Sequence, residues 1–559
     1  MTQENIYDAI VVGSGISGGW AAKELTERGL KTLVLERGRN VEHVKDYPTM
    51  NMAPWEFKYR GLDTKKVKED YPVQCTNYAF NESTQHFYVN DRENPFSHPE
   101  DKPFRWIRGY QVGGKSMLWA RQSYRWSDWE FESNAKDGIG VDWPIRYKDL
   151  EPWYDHVEKF IGVNGENAGI GTLPDGQFQS PIGMNCIEKH VQESIAKNFT
   201  DRRMTYGRSA NLTQPLPGRG ACQYRGLCER GCPFGASFTS MSSTLPAAYA
   251  TGNLTLRPFS IVHSVIYDEK LDKAVGVRVL DAETNQALEF HAKVIFLCAS
   301  TLNSTSILMN SKTPRFSEGL ANSSGALGHY LMDHHKDIRA SGRYEGFANK
   351  VSRGFRPNSV IIPRFRNIKE ERSDYTRGYG IWGSGGKAGV DTSGMDYAAI
   401  KEAATRFGDE WSMGLYAYGE CLPYYENKVE LNEDLKDKWG LPTLKMTCSF
   451  GENEAAMRKD MIEQCAEVLE ACGMKDIKTT EGENIFGFSI HEVGTARMGR
   501  DPKTSVLNGF NQCHDVPNLF VTDGASFASS AWQNPSLTFM ALTARACDYA
   551  VGEMKKGNL

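Results

Sequence analysis

No run of roughly 18 apolar residues, the length a membrane-crossing helix needs, occurs in this chain of 559 residues. An excess of basic charge is missing as well. Lys and Arg number 65 against 70 Asp and Glu, for a net charge of -5, which removes the electrostatic basis for gripping nucleic acid or an anionic membrane surface. Low-complexity tracts are also missing. The start, Met1-Thr2-Gln3-Glu4-Asn5, has no basic stretch, apolar stretch or cleavage site of a secretory signal, so any export is expected to need outside help. What remains is a globular composition, 40% hydrophobic and 24% charged, on a chain long enough for two domains with substantial cores. Of the twelve cysteines, three cluster and nine are scattered, several in apolar segments such as Val294 to Cys298. The scattered nine read as small core hydrophobes.

The chain's first apolar run carries the first motif. Ile6 to Val12 reads as a short buried strand, followed by Gly13-Ser14-Gly15-Ile16-Ser17-Gly18-Gly19 and a helical stretch with Ala21, Ala22, Leu25 and Leu30. A second strand, Thr32-Leu33-Val34-Leu35, ends in Glu36. Gly13 permits the tight turn, Gly15 lets a pyrophosphate approach the backbone, and Gly18 lets helix and strand pack closely. The helix N-terminus offers unpaired N–H groups and a positive dipole end to phosphates. Glu36, about 20 residues on, can accept hydrogen bonds from a ribose diol. The unit predicts dinucleotide binding. FAD and NAD satisfy it equally.

Three distant segments separate the two. Arg108-Gly109-Tyr110-Gln111-Val112-Gly113-Gly114-Lys115-Ser116-Met117-Leu118-Trp119-Ala120 is a second glycine turn. Val294 to Ser306 gives a strand, then Cys298-Ala299-Ser300-Thr301-Leu302-Asn303 opening a helix. The C-terminal part holds His491-Glu492-Val493-Gly494-Thr495-Ala496-Arg497-Met498-Gly499 and continues through Val516 to Ala525 and Asn534-Pro535-Ser536-Leu537-Thr538. Together these resemble the glucose-methanol-choline (GMC) oxidoreductases, over both ends and the middle and in the family's order.

The resemblance implies an α/β fold: a Rossmann-like FAD-binding domain of the p-hydroxybenzoate-hydroxylase type with a discontinuous α+β substrate domain. Residues 1–125, 215–335 and 485–559 would bind FAD, and 126–214 and 336–484 would form the substrate side. FAD contacts are implied at Gly13, Gly15, Ser17, Gly18, Glu36 and Arg37. The second turn would add Arg108, Val112, Gly113, Gly114, Ser116, Leu118, Trp119 and Ala120, with Val262 beside the adenine. Cys298, Ala299, Ser300 and Asn303 follow from the middle segment. Asp523 and Gly524 would lie by the flavin chain, with Asn534, Pro535 and Ser536 near its reactive ring. Some members tether FAD through a histidine where Leu118 stands here, so a non-covalent flavin is expected.

Oxidising an alcohol removes a proton from oxygen and a hydride from carbon, and the protein supplies the base. Histidine suits the task because its ordinary pKa, about 6.5, leaves it largely neutral at working pH. By the resemblance His491 is that base and Asn534 its partner, able to donate a hydrogen bond but not to take the proton.

Cys222, Cys228 and Cys232 lie within eleven residues, interleaved with Gly226 and Gly231 and followed by Pro233. Cys before Pro is common in iron–sulfur loops. Zinc usually takes four ligands at shorter gaps, and a disulfide plus a free thiol is the plainer alternative. Within the GMC family the loop, about 220–238, is similar to that of the flavin subunits of bacterial gluconate, fructose, glucose and glucoside 3-dehydrogenases. That likeness implies a [3Fe–4S] cluster at the three cysteines, electrons leaving to a cytochrome c rather than to oxygen, and a small signal-bearing partner subunit. Periplasmic co-export with that partner and a cytoplasmic location both fit.

On the substrate side, Gly414 to Glu420 and Asn427 to Asn432 read as strands and Glu454 to Cys472 as an amphipathic helix. Trp382, Tyr416 and Tyr418 are candidates for stacking on a sugar. The resemblance points first to carbon 3 of a D-glucoside or disaccharide, then to gluconate at carbon 2 or glucose at carbon 1. A flavin-bound carrier without turnover and an NAD-linked dehydrogenase are the readings from other classes.

Overall fold

Parallel pairing around the first apolar run organises the molecule, a computed structural model describing residues 6–351, 354–357, 359–388, 394–405 and 410–559. Strand β1 (Ile6–Val12), helix α1 (Ile16–Glu27) and strand β2 (Thr32–Leu35) form where the sequence places them. β1 pairs in parallel with β2 on one side and with the strand Ala287–Leu297 on the other, Val11 lying opposite Val34 and Val12 opposite Leu297. Leu254–Arg257 extends the sheet beyond β2, and Leu519–Val521 joins Ala287–Leu297, both in parallel. Lys273–Asp281 and Ser260–Asp268 complete it as antiparallel strands. Strands covered on both faces must be apolar throughout. Ile10, Val11, Leu33, Val34 and Val294 to Leu297 are accordingly fully buried. The carboxyl ends Val12, Leu35 and Leu297 stand side by side, the edge at which open α/β sheets bind ligands.

The second sheet runs Lys475–Glu481, His335–Glu345, Glu410–Gly419, Tyr379–Lys387, Val360–Ile362 and Thr205–Tyr206, all neighbours antiparallel. Glu410–Gly419 alternates strictly. Trp411, Met413, Leu415 and Ala417 are buried in one core with Met457, Met461 and Cys465 of the helix Glu452–Ala471. Tyr416 and Tyr418 therefore face the opposite way, toward the first domain.

Two segments assigned to the substrate side share the core of the first sheet instead. Helix Tyr147–Ile161 puts Leu150, Tyr154, Val157 and Ile161 into one cluster with Ile10 and Trp20 and rests on the last helix, Ser536–Lys556. The hydroxyls of Tyr154 and Thr538 meet there at 2.8 Å. Val429, Leu444 and Met446 of the hairpin Lys428–Lys436/Pro442–Thr447 join the same cluster. Division by sheet and division by core thus differ, because these apolar faces find their partners on the flank of the nucleotide sheet.

Candidate active site

A cavity of about 330 Å³ opens at the carboxyl edge of the first sheet and reaches the tyrosine face of the second. Three glycines shape its mouth. Gly13 has φ +95°, and a Cβ there would stand 2.5 Å from the Cys298 carbonyl oxygen. One at Gly18 would stand 1.9 Å from the Gly13 carbonyl oxygen, while around Gly15 nothing lies within 4 Å. These are a turn, a helix–strand contact and an open cradle. No side chain caps the start of α1, so its first N–H groups are left for a ligand.

Glu36 lines the cavity, and its carboxylate also accepts from Ser14 N (3.1 Å), Ser14 Oγ (2.6 Å) and Gly38 N (3.0 Å). Burial pushes its pKa up against those hydrogen bonds. Gly113 N donates to the same Ser14 hydroxyl at 3.0 Å, which locks the second glycine turn onto the first. Gly18, Val112, Gly113 and Pro535 do not line the cavity; the other expected cofactor residues do. Beside Val262 and Glu36, the Arg37 guanidinium lies 4.1 Å above the Tyr110 ring. Leu118 is buried on the cavity wall and has no nucleophile to form a tether.

The middle segment adds strain. Ser300 takes φ +78°, a region costly for any residue but glycine, at the head of helix Thr301–Asn310. Asp523 accepts from Ser304 Oγ and from Ala525 N (3.0 Å), and burial raises its carboxyl to about 6. Gly524 must be glycine: a Cβ would lie 2.4 Å from Thr301 Oγ1 and 2.6 Å from the Glu492 carbonyl. An open glycine cradle, a bare helix N-terminus and an acid at one end, with a histidine at the other, fit an FAD laid across the sheet edge.

At that far end Asn534 Nδ2 stands 3.1 Å from His491 Nε2. The His491 backbone N–H and that of Ser489 both donate to the Asp333 carboxylate, at 3.0 and 3.1 Å. Between them Ile490 is held at φ +65°, an outlier for a β-branched residue. Burial, reinforced by His334, Lys336 and Lys115, drops the His491 pKa well below the ordinary value. The ring is therefore neutral at neutral pH, as a base must be. The Asn534 carbonyl oxygen is buried without a partner.

Two family models cover this geometry: residues 7–336 and 423–543 match the N- and C-terminal parts of GMC oxidoreductase. The chain belongs to the GMC oxidoreductase family. It is 28% identical to 2-methyl-1,2-propanediol dehydrogenase of Mycolicibacterium austroafricanum, over 98% of this chain and 96% of that one. It is 26% identical to the fructose dehydrogenase large subunit of Gluconobacter japonicus, over 98% of each. A solved structure of formate oxidase from Aspergillus oryzae superposes over the whole of both chains with a TM-score of 0.61 at 13% identity, a likeness of fold. This GMC oxidoreductase acts on CH–OH groups, with FAD as the cofactor its family implies.

Trp382, Tyr416 and Tyr418 all line the cavity of this GMC oxidoreductase. Trp382 and Tyr416 lie nearly parallel, 6.4 Å apart, and the Tyr418 ring is 6.3 Å from that of His491. The sequence reading missed Asp333, His334, Lys336 and Lys115 as site residues. For the first three the only signal was a run of charged and imidazole groups, Asp333-His334-His335-Lys336, with nothing to tie it to residue 491, while Lys115 lay unremarked inside the second glycine turn.

The cysteine loop holds its three thiols partly buried. All twelve cysteines are free, so the disulfide alternative is not formed. Among the described residues no three His, Cys, Asp or Glu side chains are gathered as around a metal ion. Cys222 Sγ accepts from Tyr224 N at 3.4 Å, Glu229 beside Cys228 pairs with Arg121 at 2.9 Å, and Arg230 donates to the Met52 carbonyl at 3.0 Å, so neighbouring segments hold the loop in place. Gly226 and Gly231 do take positive φ, +69° and +92°, to wrap the chain tightly.

Proposed function

We propose that the protein is an FAD-dependent sugar dehydrogenase oxidising a secondary hydroxyl, carbon 3 of a D-glucoside or disaccharide, to a ketone. One juxtaposition carries the reading: the His491–Asn534 pair shares its cavity with a wall of Trp382, Tyr416 and Tyr418. Aromatic faces pack against the apolar C–H faces of a sugar ring, while Asn534 Nδ2 donates to the reacting oxygen and His491 Nε2 takes its proton. When bound, FAD supplies the acceptor for the hydride. The fructose dehydrogenase relative supports a sugar, and the propanediol dehydrogenase relative keeps small diols in the test.

An anaerobic panel of methyl glucosides, disaccharides, gluconate, glucose and diols, with product analysis, tests this. A 3-keto glucoside is expected. A 2-keto acid or a lactone as the main product replaces the substrate assignment, and no product from any of them favours a carrier.

The electron route is part of the proposal: a [3Fe–4S] cluster at Cys222, Cys228 and Cys232, a cytochrome c acceptor and a small signal-bearing subunit that carries the chain to the periplasm. It is supported by the spacing of the three cysteines. Iron and acid-labile sulfide should co-purify with the chain and vanish in Cys228→Ser. Iron-free protein with full turnover to a cytochrome overturns this part.

A further inference from the structure

We infer that His334 is a positioning residue that fixes the tautomer of His491 and so makes Nε2, rather than Nδ1, the basic nitrogen. The two rings meet Nδ1 to Nδ1 at 2.7 Å, nearly perpendicular, with centroids 4.9 Å apart. On its far side His334 Nε2 lies 2.9 Å from the Ala531 carbonyl oxygen. A carbonyl only accepts, so His334 Nε2 carries the hydrogen. A neutral His334 then has a bare Nδ1, and the hydrogen of the short contact belongs to His491 Nδ1. That leaves His491 Nε2 bare, facing Asn534 and the cavity, ready for a hydroxyl proton. After that transfer the Nδ1 hydrogen stays in its bond to His334, which holds the new imidazolium in place.

The surrounding structure is built to hold this chain of contacts. His334 is buried, 2% exposed, in a site where an unmatched ring nitrogen is costly. Ala531, whose carbonyl orients it, sits at φ +57°, and Ile490 before His491 sits at +65°. Ser489 Oγ donates to the His334 carbonyl at 2.7 Å while Asp333 holds the backbone of residues 489 and 491. Adjacent residues 333 and 334 thus grip the base by its backbone and by its ring. Neighbouring His335 does not share in this; its ring packs against Phe450.

The inference rests on His491 being the base, and one of its two tests needs no turnover. Nitrogen-15 NMR of the FAD-loaded protein with labelled histidine, His491 assigned by its loss in His491→Asn, should show Nδ1 protonated and Nε2 bare. A protonated Nε2 in the resting protein overturns the inference while leaving the FAD site intact. The second test is His334→Gln, whose amide nitrogen can keep the bond to Ala531 but places no acceptor at the His334 Nδ1 position. Its kcat should fall about tenfold or more, a share of the 10²–10⁴ that general-base help is worth, with KM and flavin content little changed. A role confined to bridging to Ala531 predicts wild-type kcat instead, and that result also overturns the inference.

Discussion

His491→Ala lowers the rate of flavin reduction by substrate roughly 10²–10⁴-fold, the usual worth of a positioned general base, while the protein stays yellow. The rate loss follows because neither ring partner of His491 can take over. Asn534 has no basic nitrogen, and the free ring nitrogen of His334 is turned toward His491, not into the space beside Asn534. Retention of FAD follows from the distribution of its contacts. The glycine turns, Glu36 and Asp523 would hold the cofactor's long body, and their hydrogen bonds run to other residues than His491. Anaerobic stopped-flow reduction, with the flavin-to-protein ratio as control, measures both. A variant within a few-fold of the wild-type rate would place the base elsewhere.

Two glycine replacements, three positions apart, should fail in different ways. Gly18→Ala drives a methyl to 1.9 Å from the Gly13 carbonyl, a backbone atom that cannot swing aside. Helix α1 must shift off β1, so the protein loses both FAD and thermal stability. Overpacking of this kind costs about 1–3 kcal/mol or more. Gly15→Ala meets no protein atom within 4 Å. The fold should melt as the wild type does without FAD, while FAD affinity drops about 10- to 100-fold, the worth of one charged hydrogen bond of about 1.5–3 kcal/mol. Thermal melting of the apoprotein and an FAD titration separate the two. Equal behaviour of both variants would contradict the assignment of Gly15 to ligand approach and Gly18 to packing.

The contrast between these sites shows what was legible in the sequence. Gly13, Gly15 and Gly18 sit inside one contiguous strand–helix–strand unit, and their geometry is local, so spacing alone revealed it. Glu36 was legible as a cavity acid, but not its grip on Ser14, since a carboxylate does not announce which donors it meets. The alternation of Gly414 to Glu420 set two tyrosines on one face without saying what that face looked at. Helix Tyr147–Ile161 was amphipathic in either domain, and only the apolar flank of the first sheet decided where it packed. His334 was the hardest case. Its value lies in a contact 157 residues away in the chain and in a carbonyl turned toward it by a strained alanine, neither of which leaves a mark on the residues beside it.

A CH–OH group is expected to lose its hydride to a flavin lying in the cavity beside His491. Anaerobic mixing of the yellow holoprotein with a substrate carrying deuterium at the carbinol carbon tests it most directly. The visible flavin band should bleach more slowly than with the protonated substrate, and by the same final extent. Bleaching at an unchanged rate would put the chemistry outside the slow step, and no bleaching with any alcohol or sugar would contradict the account.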